Sequence, residues 1–477
     1  MIINIEQRSG RLIISYVKDD GNIGFTQLNI PANHQYSYLY EKRGRGIQGL
    51  QSWDFKPVRR VPSQFLDKHR IQEFFMDAGE NNIKHLFEFN MPNFAAADIE
   101  VEVTDEGFAD PDLANNKITS ISFSRYPEII VFGSKSLTGQ ECKEINDKIN
   151  EHIKKSKKEY QFIYKYHKNE ADMLYDFLYN YVKDAPLISG WNFWGYDWRY
   201  ITNRCRKLNM DISWLSPTGQ WYEHKIKDRN KDVLVMLPQH KLIVDYMAIY
   251  QKWDRTIEVK ENSTLDFVAE EGLEIKKVKY PGTLDDLYNK DYPEYIFYNA
   301  MDSILVELLD EKLKTMRTFL GLSNITRVEA MGAFSPIKML EATLSRHAYS
   351  KGYVFPRKEK KSERQTFIGA FVFEPIPNLY EWVASFDFAS LYPSIMRQFK
   401  LSIENFKFKD KSYSPKENEI KTFSGSVFDA SYEPLIPEIL TYYYNQRKNA
   451  KKVYLTAEKE KDELEHILKK RQKNSKI

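Results

Sequence analysis

Five carboxylates in this chain stand in settings where acidic side chains need a cationic partner. Asp98 and Glu100, in NFAAADIEVEV (93–103), are two residues apart, so on a strand both point to the same face. Like charges held that close repel unless a cation sits between them. Asp197 ends NFWGYD (192–197) and opens the run DWRYITNRCRKL, with Asn192 five residues earlier. Tyr298 and Asp302 are four apart in PEYIFYNAMDSILVELL (293–309), hence one helical turn from each other, and Ile296, Phe297, Ile304 and Leu305 surround them. Asp387 closes WVASFD (382–387). Phosphodiester chemistry suits such a set, because two divalent cations about 3.5–4 Å apart activate a water and stabilise the leaving 3′ oxygen. Asp98, Glu100 and Asp302 would hold the ions, and Asp197 would reach the second one directly or through water. Tyr298 would donate to the attacking water or to the scissile phosphate.

The elements needed to position these groups are legible to different degrees. Phe94–Ala97 read as an apolar strand leading into the Asp98–Glu100 pair, and 186–189 as a second strand before a turn at 190–195. A helix beginning near Pro293 carries Tyr298 and Asp302. Residues 382–386 read as a short strand that delivers Asp387. A turn over 388–392 follows, and Pro393 sits where a first helical position would be. A carboxylate at a strand's end beside a helix start is a good place to hold Mg²⁺ against a phosphate.

Farther along, a long helix is expected from Pro437, with Arg447 and Lys451 one turn apart on one face. Residues 1–95 read as a small α+β domain with a helical patch at 71–77, and its Lys56–Arg60 cluster as a solvated face in preference to a nucleic-acid contact. Residues 224–242 alternate basic and apolar side chains around a polar turn, as a hairpin would. That hairpin either is a plain surface feature or helps to separate nucleic-acid strands. Phe108 either stacks on a terminal base or is an ordinary loop aromatic. The stretch 407–433 is polar and poorly patterned.

Composition bounds the class without naming it. At 477 residues, two to four domains are expected. Lys+Arg 70 against Asp+Glu 67 leaves +3, so any basic groove must be local. Cys142 and Cys205, the only cysteines and far apart in sequence, argue against a disulfide framework or a zinc site. No run of about 18 apolar residues and no signal-type N-terminus occurs, so a soluble protein of the cytoplasm is expected, with no membrane partner.

Two sets of strings give a more specific reading. DFASLYPS (387–394) resembles motif A of the family B (α-like) DNA polymerases, DxxSLYPS, at every fixed letter. Asp98-x-Glu100, Asn192-x₃-Tyr196-Asp197 and Tyr298-x₃-Asp302 resemble, in order, the DIE, N-x₃-(F/Y)-D and Y-x₃-D motifs of the DnaQ-like 3′→5′ exonuclease that accompanies it. Residues 445–451, NQRKNAK, resemble the first fingers helix, and FIGAFVFEPIPN (367–378) the Y-x-G-G/A loop, with Phe367 replacing the usual Tyr. The branch indicated is the T-even-phage-like one.

The resemblance implies an α+β multidomain fold: an N-terminal α/β domain (1–95), an RNase H-like exonuclease (96–320), a return to the N-terminal domain (321–365), a partial palm (366–433) and the first part of the fingers (434–477). It implies Asp387 as a palm metal ligand beside the Phe388 carbonyl. Ser390, Leu391 and Tyr392 would line the nucleotide, with Tyr392 beneath the deoxyribose excluding a 2′-OH. Arg447 and Lys451 would grip the triphosphate, while Asn192, Phe108 and Gly369 would contact DNA. Two Mg²⁺ per active site are implied, with Mn²⁺ an alternative ion. The implied partners are primer–template DNA, a single-stranded 3′ end and a dNTP, in the cytoplasm of a phage-infected or prokaryotic cell.

The family's second fingers motif, K-x₃-N-S-x-Y-G, and its D-T-D hairpin do not occur in the 477 residues. The expectation is therefore an exonuclease that synthesises DNA only with a second polypeptide, which would dock on the apolar face of the 439–468 helix and bring contact with a sliding clamp. The competing expectations are a non-catalytic regulatory protein of polymerase fold and a stand-alone exonuclease.

Overall fold

The computed structural model describes residues 1–8, 10–41, 50–102, 109–228, 231–253, 262–275, 282–357, 369 and 371–474. It is a mixed α/β, multidomain chain in two compact units: 1–32 with 78–340, and 33–77 with 341–477. Cys142 and Cys205 are both unbridged. Among the described residues no helix is long and apolar enough to cross a membrane.

The first unit is built on a six-stranded sheet in the order 161–166, 128–133, 118–125, 94–101, 187–190, 242–245. Its middle strands, 94–101 and 118–125, are antiparallel, and the flanking pairs with 187–190, 242–245 and 161–166 are parallel. A strand buried on both sides reads as a continuous apolar run rather than an alternation. Phe94–Val101 is of this kind, with Ala95, Ala96 and Ala97 all buried and only its two acids breaking the run. The small three-stranded antiparallel sheet of 2–8, 11–17 and 23–29 belongs to the same unit. It is held in part by the buried His240, whose ring nitrogens lie 3.0 Å from Ser15 Oγ and 3.1 Å from Glu6 Oε2.

Helix Tyr292–Leu313 crosses the sheet over these middle strands. Its register is fixed by a row of buried polar pairs: Asn299 accepts from Ser120 Oγ at 2.8 Å, Ser303 meets Ser122 at 2.6 Å, and Glu307 accepts from Ser124 Oγ at 2.5 Å. The spacing matches because four helical residues rise about 6 Å and two strand residues about 6.8 Å. Buried hydroxyls and amides must find partners, so this row permits one alignment and penalises any slide. Asp98 pairs across the strands with Ser122, and Glu100 with Ser120, which puts both acids under the same helix.

In the second unit, 36–40 pairs with 58–62, and 353–354 runs parallel to 51–52. The segment 341–350 lies along helix Lys68–Asp77, with Arg346 donating to Gln72 at 2.8 Å and Tyr349 to Asp77 at 2.7 Å. Residues 407–433, unpatterned in sequence, contain a three-stranded antiparallel sheet in the order 406–409, 426–429, 419–421. The long helix is Leu435–Asn474, two residues earlier at its start than expected.

Two expectations around Asp387 are corrected. Residues 382–386 form no strand: a strand needs a ladder partner, and none pairs with them among the described residues. The following helix is Leu391–Gln398, so Pro393 is its third residue rather than its first. Proline is tolerated there because the first-turn N–H groups have no intrahelical acceptor. Ser390 precedes it at φ 54°.

Candidate active site

Asp98, Glu100 and Asp302 come together. One oxygen from each carboxylate lies within 4.8 Å of the others, and Glu100 and Asp302 are 9% and 8% exposed. Three acceptor-only groups crowded at low exposure form a hard oxygen donor set of the kind that divalent cations take. Asn299, unremarked in the sequence, fixes this arrangement: its amide accepts from Ser120 and donates to Asp98 Oδ2 at 2.8 Å. One side chain thereby ties the helix, the neighbouring strand and the first carboxylate together.

Asp197 opens helix Asp197–Lys207 after the turn 191–196, where Asn192 adopts φ 58°. Its Oδ1 accepts from the Ile99 N–H at 3.1 Å, the amide between the two strand acids. Burial pushes its carboxyl up to about 8, with Asp245 and Asp302 adding to the rise. Asp245, which sequence reasoning missed, ends strand 242–245 and accepts from Trp194 N at 3.1 Å and Ala248 N at 3.2 Å. Burial raises its carboxyl to about 6. The signal for it was a short apolar run ending in an acid, KLIVD, the same shape as the run into Asp98.

Asp98, Glu100, Asp197 and Asp302 line one cleft of about 1030 Å³ together with Asn192, Tyr196, Tyr298, Arg199 and Lys231. Tyr298 is 7% exposed and shares the Asp302 face of its helix. The hairpin 221–228/231–238 walls the cleft with Lys231 and Val233. It is fastened by Trp198 Nε1 donating to Met236 O at 2.9 Å and by Trp198 lying parallel to Trp221.

Gly190 sets how closely the turn approaches the acid strand. A Cβ there would stand 2.4 Å from the Ala97 carbonyl oxygen and 2.5 Å from the Phe193 ring. The carbonyl precedes Asp98 and cannot swing aside as a side-chain tip would. Gly190→Ala is expected to destabilise this unit by about 1–3 kcal/mol and to weaken divalent-cation binding, as measured by thermal unfolding with and without Mg²⁺.

The other described sequence candidates belong to the second unit. Asp387, Phe388 and Tyr392 are exposed, at 75% and 69% for the last two, and Leu391 is at 43%. Among the described residues Asp387 joins no group of three acids or metal-binding side chains. Arg447 and Lys451 are exposed on the long helix, Gly369 is exposed with open space about it, and Phe108 lies outside the described residues.

Residues 71–259 match the family B DNA polymerase exonuclease domain, and residues 336–477 match DNA polymerase family B. The chain is 26% identical over 442 residues to the DNA-directed DNA polymerase of Escherichia phage RB69, covering 84% of this chain and 47% of that protein. It is 27% identical over 401 residues to that of Enterobacteria phage T4, covering 78% and 44%. The DNA polymerase delta catalytic subunit of Arabidopsis thaliana is 33% identical over 297 residues, 56% of this chain and 26% of that protein. The chain thus spans less than half the length of these relatives. Asp302 lies past the matched exonuclease segment, yet the fold returns it to the two acids inside that segment. With an exonuclease part and a polymerase part matched in sequence order, the chain belongs to the family B DNA polymerases.

Proposed function

We propose that this chain removes nucleotides from a DNA 3′ end with two Mg²⁺ ions, Mn²⁺ substituting, as the proofreading part of a family B DNA polymerase. The observation that carries this is the convergence of Asp98, Glu100 and Asp302 in a cleft of about 1030 Å³. The three carboxylates would hold the metal, and bound ions would lower the pKa of a water and offset charge on the leaving oxygen. Asn299 keeps Asp98 turned toward the group. Asp197, buried and hydrogen-bonded to Ile99 N–H, stiffens the acid strand and would reach the second ion directly or through water. Tyr298 would donate to the attacking water or to the phosphate. The hairpin and Asn192 would steer a single strand past the acids.

On the same reading residues 96–320 are the exonuclease part, 366–433 belong to the palm and 434–477 to the fingers. Asp387 and the Phe388 carbonyl would bind metal, Ser390, Leu391 and Tyr392 would cradle the dNTP, and Arg447 and Lys451 would take its phosphates. Gly369 would lie against primer–template DNA. Nucleotide transfer needs a further palm carboxylate, and D-T-D is absent from these residues. It can come from a continuation of the same chain or from a second polypeptide, through which a sliding clamp would also be reached. The test is shortening of a 5′-labelled single strand in Mg²⁺, stopped by EDTA and restored by Mg²⁺ or Mn²⁺. An inert chain under these conditions refutes the proposal. Primer extension should appear only when the missing palm and fingers residues are supplied.

A further inference from the structure

We propose that Arg199 is a phosphate-binding residue of this cleft and that Asp112 occupies it until a DNA strand arrives; the inference rests on the exonuclease reading. Among the described residues six carboxylates line the cleft, at 98, 100, 110, 112, 197 and 302, against two cations, Arg199 and Lys231. A polyanionic strand entering there needs a cation beyond the bound metal, and Arg199 is the buried one. Its Nε donates to Asp112 Oδ1 at 2.6 Å and its Nη2 donates to Asp112 Oδ2, a two-point contact. The same two-point geometry serves a phosphate. Its Nη1 donates to Gly195 O at 3.2 Å, which aims the guanidinium from behind.

The two partners are unequally buried: the Arg199 side chain is 6% exposed and that of Asp112 is 59% exposed. Asp112 therefore covers Arg199 from the solvent side and can rotate away without unfolding anything. The loop that carries it does not depend on the pair for its position. Asn203 donates to Pro111 O at 2.9 Å, Arg204 donates to Ala114 O and Asn115 O at 3.1 and 2.9 Å, and Tyr200 donates to Asn116 O at 2.8 Å. A contact that the loop can lose is free to be exchanged for a ligand.

The test is binding of a fluorescein-labelled single-stranded oligodeoxynucleotide to the full chain in EDTA, where nothing is hydrolysed. Asp112→Asn should tighten binding about threefold or more, because the competing charge is gone. Arg199→Gln should weaken it about tenfold and reduce the slope of log K against log salt by about 0.7, one phosphate contact on a single strand. Adding Asp112→Asn to Arg199→Gln should then bring no gain. If Asp112→Asn leaves binding unchanged or weakens it, the pair is a structural clamp and the proposal is wrong. Hydrolysis of thymidine 5′-(p-nitrophenyl) phosphate in Mg²⁺ reads the metal site separately, since this ester has no neighbouring phosphodiester. It should be equal in wild type and Asp112→Asn, and its absence in wild type would sink the exonuclease reading while leaving the binding result interpretable.

Discussion

Asp98→Ala should slow the release of nucleotides from a single-stranded 3′ end by about 10³-fold or more. A divalent ion contributes several kcal/mol of transition-state stabilisation, and each 1.36 kcal/mol is tenfold in rate. The accompanying stability pattern separates loss of metal from loss of fold. Without metal, Asp98, Glu100 and Asp302 repel one another, so removing one charge should leave thermal stability equal or higher despite the lost Asn299 contact. With Mg²⁺ at about 100 times its dissociation constant, wild type should gain about 2.7 kcal/mol and the variant much less. A variant that is destabilised in EDTA as well as inactive would point to a folding defect. One that keeps near-wild-type rates would remove Asp98 from the metal site altogether.

The parts of this site that could be read from the chain are those in which sequence distance and spatial distance agree. Asp98 and Glu100 share a strand, and Tyr298 and Asp302 share a helical turn, so local periodicity places each pair. Convergence of the two pairs was readable only through the motif order, because nothing local joins residues 200 apart. Asn299 escaped notice for that reason: an amide inside an apolar helix acquires meaning only when Ser120 and Asp98 are seen on either side of it. Asp245 was hidden likewise, since its pairing with the Gly190 register is a tertiary fact. Strand 382–386 failed in the opposite direction, as β-propensity there meets no partner strand among the described residues. The sheet of 406–429 was missed because its strands are only three or four residues long, so that even the alternation in FKFK (406–409) is too short to mark a strand against its polar surroundings.

Arg204→Met is expected to destabilise the cleft-bearing unit by about 3–5 kcal/mol, the usual cost of breaking a buried ion pair from one side. The Arg204 and Glu170 side chains are 10% and 11% exposed and meet through two bonds of 2.8 and 2.7 Å. Glu170 Oε1 also accepts from Ile118 N at 2.8 Å, and Arg204 Nη1 serves the Ala114 and Asn115 carbonyls. Methionine fills the volume but satisfies none of these, leaving a carboxylate and two carbonyls short of partners at the entrance to strand 118–125. Adding Glu170→Leu removes the stranded charge and should recover part of the loss. Recovery cannot be full, because Ile118 N and both carbonyls still lack donors or acceptors. Six of the eight tryptophans, at 191, 194, 198, 214, 221 and 253, lie in this unit, so urea unfolding followed by tryptophan fluorescence reports mainly on it. A loss below about 1 kcal/mol for the single variant would mean that water replaces the guanidinium, and that the loop bearing Asp112 is held by Asn203 and Tyr200 alone.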